Sequence, residues 1–166
     1  MILTIYPIVI VALFLGLLIA RFSKSELKNG EKWFYLLQVL ILLFVVVFTI
    51  GLNFNLAGLL IGIVFGLIFR KEYFYLGIGI ITTSNGLQTF YIFSSLTFLY
   101  SLIYGTIIYF KKEFNKLILD ISLFLMPIVL YVLDVELVSF CVGALISILI
   151  FKSKESINLF KIYFWK

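Results

Sequence analysis

Short basic stretches divide the chain into long apolar segments, and this alternation constrains the fold more than any other feature. All 13 Lys and Arg residues lie in four stretches, at residues 21–32, 70–71, 111–116 and 152–166. A helix that spans a bilayer needs about 20 apolar residues, so the segments between the stretches predict transmembrane helices. Because Lys and Arg collect on the cytoplasmic side of a membrane, we expect all four stretches on that side.

The segment lengths predict seven transmembrane helices, with the N-terminus outside and the C-terminus in the cytoplasm. Residues 73–110 decide the number, because this stretch has basic flanks but no Lys or Arg, and it is too long for one crossing. Merging two of the shorter spans gives six helices as the alternative. The expected spans are residues 2–20, 34–52, 56–69, 73–88, 90–110, 117–132 and 137–151.

The composition indicates an all-α integral membrane protein, which we expect in the cell membrane. Hydrophobic residues make up 64% of the chain and charged residues 13%, whereas a soluble domain is about half apolar and a quarter charged. We expect a transmembrane helical bundle over residues 1–151 and an interfacial tail over residues 152–166. The basic residues flank apolar segments and form no long run, so they favour lipid over nucleic acid as a partner.

Two residue counts exclude several kinds of chemistry. The chain has no His and a single Cys, Cys141. Imidazole metal ligands, His-dependent nucleophiles and a disulfide framework are therefore excluded. We expect neither a metal nor a cofactor.

The third apolar segment carries glycines at a spacing typical of close helix packing. Glycines four residues apart line one helix face and let a second backbone approach. A partner helix within the chain is the expected contact, and a second protomer or another membrane protein is the alternative. The glycines are Gly58, Gly62 and Gly66, with Gly143 in the same role in the last span.

A polar cluster interrupts the long stretch 73–110. Polar side chains in hydrocarbon need partners, and they often mark a pathway or a pocket. We expect this cluster in an outer loop between the fourth and fifth spans, with a pathway or pocket, or a re-entrant segment, as the alternative. The cluster contains Thr82, Thr83, Ser84, Asn85 and Gln88.

The acidic residues are expected at the boundaries of the sixth span. Asp120 stands about one turn inside its cytoplasmic end, where the spacing favours an ion pair with Lys116. Asp134 and Glu136 predict an acidic outer turn, with attraction of cations as the alternative. Helical rise separates Asp120 from Asp134 by about 21 Å, so the two cannot share a proton as an aspartyl dyad does.

One stretch resembles a known family. Residues 56–79 form a glycine-spaced apolar helix and a short basic turn, followed by Leu-Gly-Ile-Gly-Ile at 76–80. This layout is similar to the stretch of type 4 prepilin peptidases that precedes their Gly-x-Gly-Asp motif, and it extends loosely over residues 10–151. Ile80 stands where the motif has Asp, and the first cytoplasmic loop, residues 21–33, has no Asp. The resemblance therefore implies a scaffold without protease activity and assigns no catalytic residue.

Three functions fit these features. The first is a non-catalytic subunit, assembly factor or helix-binding scaffold that acts through helix packing, with a membrane protein or a second copy as partner. The second is a small transporter or channel for a neutral or lipid-like substrate, with residues 82–88 along the path. The third is a membrane enzyme related to intramembrane peptidases, using Asp120 and Glu26.

Overall fold

Every regular element in the described part of the chain is a helix, which confirms the predicted all-α class. The computed structural model describes residues 2–23, 30–50, 55–131 and 137–164. A 3-10 turn, Thr83–Asn85, joins the fourth helix to the fifth. The helices are α1 (Ile2–Phe22), α2 (Glu31–Ile50), α3 (Leu56–Ile68), α4 (Glu72–Thr82), α5 (Leu87–Lys111), α6 (Phe114–Leu125), α7 (Ile128–Tyr131) and α8 (Val138–Phe164).

The helices differ in length. Three segments among the described residues are long and apolar enough to cross a membrane, namely Thr4–Phe22, Lys32–Ile50 and Leu87–Lys111. By contrast, α3 has 13 residues and α4 has 11, which correspond to about 20 and 17 Å. Both helices are therefore much shorter than the three long ones.

Helix α4 ends earlier than the predicted fourth span, residues 73–88. The hydroxyls of Thr82 and Thr83 both donate to the carbonyl of Gly79, at 3.2 and 2.8 Å. These bonds satisfy an acceptor in the last turn, where helical carbonyls lose their N–H partners. The chain then turns to Gly86, whose extended backbone precedes α5.

The sixth predicted span is divided into two helices, whereas the seventh continues beyond its predicted end. Pro127 separates α6 from α7, because proline has no N–H to donate within a helix. Helix α8 runs unbroken from Val138 to Phe164. The expected boundary between bundle and tail, at residue 151, thus falls within one continuous helix.

Helix α4 lies at the centre of the bundle. It packs against α5, α6 and α8, while α2 contacts both α5 and α8. Its residues Tyr73 and 75–81 are all buried. The Tyr6 hydroxyl of α1 donates to the carbonyl of Gly77 at 2.9 Å, and the Cys141 thiol of α8 donates to that of Tyr75 at 3.0 Å. Neighbouring helices therefore hold α4 from two sides.

Two helix pairs are close-packed through glycine. In the α1–α5 pair, a Cβ on Gly16 would collide with the carbonyl of Leu102, and one on Gly105 with the carbonyl of Leu13. The α3–α8 pair has the same reciprocal arrangement, described below for the predicted glycines. Both pairs bring backbone into contact with backbone, which only glycine allows at these positions.

Candidate functional site

A lysine at the centre of a buried polar network joins four helices. The ammonium of Lys152 in α8 lies 2.8 Å from the Glu72 carboxylate of α4. It also donates to the amide oxygen of Gln38 in α2 at 2.9 Å and to the hydroxyl of Tyr100 in α5 at 2.5 Å. An ammonium has three donors, so each donor of Lys152 has an acceptor.

Burial and aromatic rings complete the environment of this lysine. The side chains of Lys152 and Glu72 are only 13% and 16% exposed. The ammonium lies 5.0 and 5.6 Å from the ring centres of Tyr100 and Tyr104. Those two rings are nearly parallel, with centres 6.2 Å apart. The cation therefore lies between the Glu72 carboxylate and two tyrosine side chains, one of which accepts a hydrogen bond from it.

A second acid, Asp120, is linked to these residues through Tyr104. The Tyr104 hydroxyl donates to the Asp120 carboxylate of α6 at 2.6 Å. The Lys71 ammonium is 3.6 Å from the other carboxylate oxygen, and the Asp120 side chain is 4% exposed. Lys71 immediately precedes Glu72, so the start of α4 brings the two ion pairs together. We call the seven residues involved the Lys152 network: Gln38, Lys71, Glu72, Tyr100, Tyr104, Asp120 and Lys152.

The partner of Asp120 differs from the one the sequence favours. Local spacing pairs Asp120 with Lys116, but Lys116 lies 2.9 Å from Glu113, and its hydrogen bond lowers the pKa of that carboxyl. Asp120 instead faces the interior, where it meets Lys71, the residue just before α4. The expected ion pair with a basic loop residue is therefore present, but its partner is Lys71 and not Lys116, because Asp120 points into the bundle rather than along the surface of α6.

The polar cluster at 82–88 forms a turn. Asn85 and Gln88 are exposed, Thr82 and Ser84 are half-buried, and Thr83 is buried. The Thr82 and Thr83 hydroxyls bond to backbone carbonyls of α4. The two hydroxyls are therefore bonded to the neighbouring backbone. The turn joins the ends of α4 and α5 that are remote from the Lys152 network.

The glycines of α3 face α8. A Cβ on Gly62 would collide with the carbonyl of Phe140, and one on Gly143 with the carbonyl of Leu59. Gly66 meets Ala144 and Ser147 just as closely, whereas Gly58 has more room, since a Cβ there would lie 3.2 Å from the Ser139 side chain. The four glycines therefore share one contact within the chain. Asp134 and Glu136 lie outside the described residues.

Most of the Lys152 network is not apparent from the sequence. Lys152 reads as the first residue of a tail and Glu72 as part of a basic turn, and the sequence does not single out Tyr100 or Tyr104. One signal was available, because Gln38 is a lone amide within an otherwise apolar stretch. Such a residue needs a polar partner when it is buried.

Each charge in the Lys152 network has an opposite charge close to it. Two lysines balance two carboxylates, and each buried carboxylate already has a cation beside it. Among the described residues, no group of three or more His, Cys, Asp or Glu side chains could hold a metal ion. Comparisons of the chain with protein-family models, curated proteins and solved structures find no match.

Proposed function

We propose that the protein is an integral membrane protein of the cell membrane, with seven spans, an outer N-terminus and a cytoplasmic C-terminus. The three long apolar helices support insertion. So do the large apolar side chains left exposed along α1 and α2, among them Phe14, Phe44 and Val47. Exposing these apolar surfaces to water is unfavourable, whereas contact with lipid carries no such penalty.

The contacts of the basic residues support the orientation. Lys71 meets Asp120, Lys152 meets Glu72, and Lys111 lies 5.0 Å from the ring centre of Tyr35. These contacts place the start of α4, the last residue of α5 and Lys152 of α8 on one side of the bundle, next to Tyr35 of α2 and Asp120 of α6. The positive-inside rule makes that side cytoplasmic.

Within the membrane, the protein acts as a non-catalytic subunit or scaffold that binds a partner through helix packing. The observation that carries this proposal is the division of α3 into two faces. Its glycine face is closed against α8, and its other face exposes Leu60, Ile61 and Val64 by more than half. The helix is also shorter than the roughly 30 Å of hydrocarbon it would cross. A partner helix beside α3 would cover this face and relieve the mismatch.

Catalysis by paired acids is disfavoured by the same geometry. An aspartyl dyad needs two carboxylates that share a proton, but Glu72 and Asp120 are each beside a lysine. Ile80, at the position of the prepilin peptidase Asp, is fully buried in the core. The membrane-enzyme alternative therefore lacks a pair of reactive carboxyl groups in this region.

Photo-crosslinking in native membranes tests the scaffold proposal. A benzophenone amino acid is placed at Val64 on the outer face of α3 and, as a control, at Val11 of α1, which is equally exposed. We expect a discrete protein adduct from Val64 and only lipid adducts from Val11. An adduct at twice the chain mass of 19.2 kDa identifies a second copy as the partner. Lipid adducts alone at both positions would overturn the proposal.

A further inference from the structure

Helices α1 and α5 touch backbone to backbone at one level and leave a groove between them at another. The close contact lies at Gly16 and Gly105, where a Cβ would collide with the carbonyls of Leu102 and Leu13. Nearer the starts of the two helices neither sequence contains a glycine. Larger side chains keep helix backbones further apart, and a groove of about 340 Å³ remains between α1 and α5 there.

The groove is mainly apolar and opens at the surface of the bundle. No charged side chain among the described residues lines it, and its apolar lining consists of Ile5, Ile8, Val9, Phe98 and Leu99. Ile8 and Leu99 are each about half exposed, so the groove is accessible from the side of the bundle. In the proposed membrane placement, that side is in contact with lipid. Small-molecule sites have volumes of about 300–1,000 Å³ and a similar lining, apolar with a few polar groups.

Two adjacent serines of α5 supply polar groups to this groove. Ser94 and Ser95 both line it. Ser94 is only 6% exposed, and its hydroxyl has no hydrogen-bond partner among the described residues. Hydroxyls within a helix commonly bond to a carbonyl one turn earlier, as Thr97 does with Phe93. Ser94 has no such bond, so its hydroxyl can turn to an acceptor in the groove that its side chain lines.

The depth of the two serines in the proposed membrane indicates what the acceptor is. Lys111 is the last residue of α5 and belongs to the basic side. The helical rise from Lys111 back to Tyr91 is about 30 Å, the thickness of the hydrocarbon core. Tyr91 therefore lies at the outer boundary, where tyrosine is common, and Ser94 and Ser95 lie about one turn below it. The ester groups of a phospholipid lie between its head group and its chains, and so close to this level.

We propose that the groove binds a phospholipid of the outer leaflet. One acyl chain lies along Ile8 and Leu99, and an ester carbonyl accepts a hydrogen bond from Ser94. An ester is an uncharged acceptor, which suits a groove that has a hydroxyl without a partner and no charged lining. A partner helix fits less well, because its own backbone carbonyls are already bonded within the helix. This inference rests on the proposed membrane placement and orientation, but not on the scaffold role.

Native mass spectrometry of the protein in detergent micelles tests the lipid site. Two probes are compared, dipalmitoyl phosphatidylcholine and its dihexadecyl ether analogue, which has chains of the same length but no ester carbonyl. Their zwitterionic head group limits binding at the basic side of the bundle. We expect the ester lipid to bind about two- to ten-fold more tightly, the effect of one hydrogen bond. Equal affinities for the two lipids would overturn the proposal.

Substitutions at the two serines localise the binding. We expect Ser94→Ala to lower the affinity for the ester lipid to that for the ether lipid, and to leave the latter unchanged. Ser95→Phe places a large side chain in the groove from an exposed position and should abolish binding of both lipids. The matched controls, Ser122→Ala and Ser122→Phe, lie at an exposed position of α6 and should bind as the unmodified protein does. An ester preference that survives in Ser94→Ala would contradict the proposal.

Flotation in a sucrose gradient separates failure of the lipid site from failure of the membrane placement. Protein that floats with phosphatidylcholine vesicles but shows no ester preference would overturn the lipid site alone. Protein that fails to float would overturn the membrane placement as well. If Ser95→Phe instead displaces a co-purified protein, the occupant is a partner helix and the lipid assignment is wrong.

Discussion

The ammonium of Lys152 lies 2.8 Å from the carboxylate of Glu72, although the two residues are far apart in the chain. Both side chains are mostly buried, so water could not readily solvate either charge if its partner were removed. The pair holds the start of α4 against α8, and Gln38 and Tyr100 extend the contact to α2 and α5. In a membrane, polar contacts of this kind join helices that have little hydrophobic preference for one another.

Breaking the Lys152–Glu72 pair should destabilise the bundle more than removing both charges. We expect Lys152→Met to lower the free energy of unfolding by about 3–5 kcal/mol, since it leaves Glu72 buried without a cation. The double variant Lys152→Met, Glu72→Gln should recover much of that loss. Unfolding in mixed micelles measures both. Lys154→Met, at an exposed position two residues further along, is the control. Simple additivity of the two single changes would contradict the pairing.

The hydrogen bond from Tyr104 to Asp120 should stabilise the fold in addition to the Lys152–Glu72 pair. Tyr104→Phe keeps the ring but removes a donor to a buried carboxylate, a loss of about 1.5–3 kcal/mol. The free energy of unfolding measures the effect. Tyr109→Phe is the matched control in the same helix, because it retains the ring contacts with Phe110 and Phe114. Equal effects of the two variants would argue against the Asp120 bond.

The helices themselves could be largely anticipated, because length and hydropathy are local properties of a sequence. Segments such as 2–20 and 90–110 correspond to α1 and α5 with small shifts at their ends. The Lys152 network could not be anticipated, because its pairs join residues that are distant in sequence. Asp120 shows the difficulty: Lys116 is its neighbour along a helix, but the direction in which Asp120 points depends on how α6 packs against α4. The break at Pro127 was partly predictable. A proline indicates where a helix is interrupted, but not how long the interruption is.

The α3–α8 contact should tolerate no side chain at Gly62. In Gly62→Ala, the new Cβ would meet the backbone of Phe140, and backbone cannot move aside as a side chain can. We expect a loss of about 1–3 kcal/mol in the free energy of unfolding. Gly58→Ala should cost less, because its nearest atom is the Ser139 Cβ at 3.2 Å. Gly30→Ala is the control, with its nearest contact 3.6 Å away on the Phe34 ring. Equal stability of all three variants would contradict this packing.

The turn between α5 and α6 should accept a glycine. Lys112 has a φ of 56° and is the one non-glycine residue with positive φ in the described part of the chain. Residues with a Cβ are disfavoured in this left-handed conformation, and glycine is the usual residue there. We expect Lys112→Gly to raise the free energy of unfolding by up to about 1 kcal/mol. Lys111→Gly, within the helix, should lower it by about as much. A loss of stability in Lys112→Gly would show that its side chain contributes more than the backbone strain costs.

The orientation of the bundle has a direct chemical test. If the basic side is cytoplasmic, no Lys side chain should be reachable by a membrane-impermeant amine reagent from outside the cell. Single cysteines in the Cys141→Ser background make the test specific to position. Asn85→Cys, in the exposed turn after α4, should react with an impermeant maleimide in intact cells. Lys112→Cys should react only after the membrane is opened. The reverse pattern would invert the topology, and labelling of both positions in intact cells would contradict a fixed orientation.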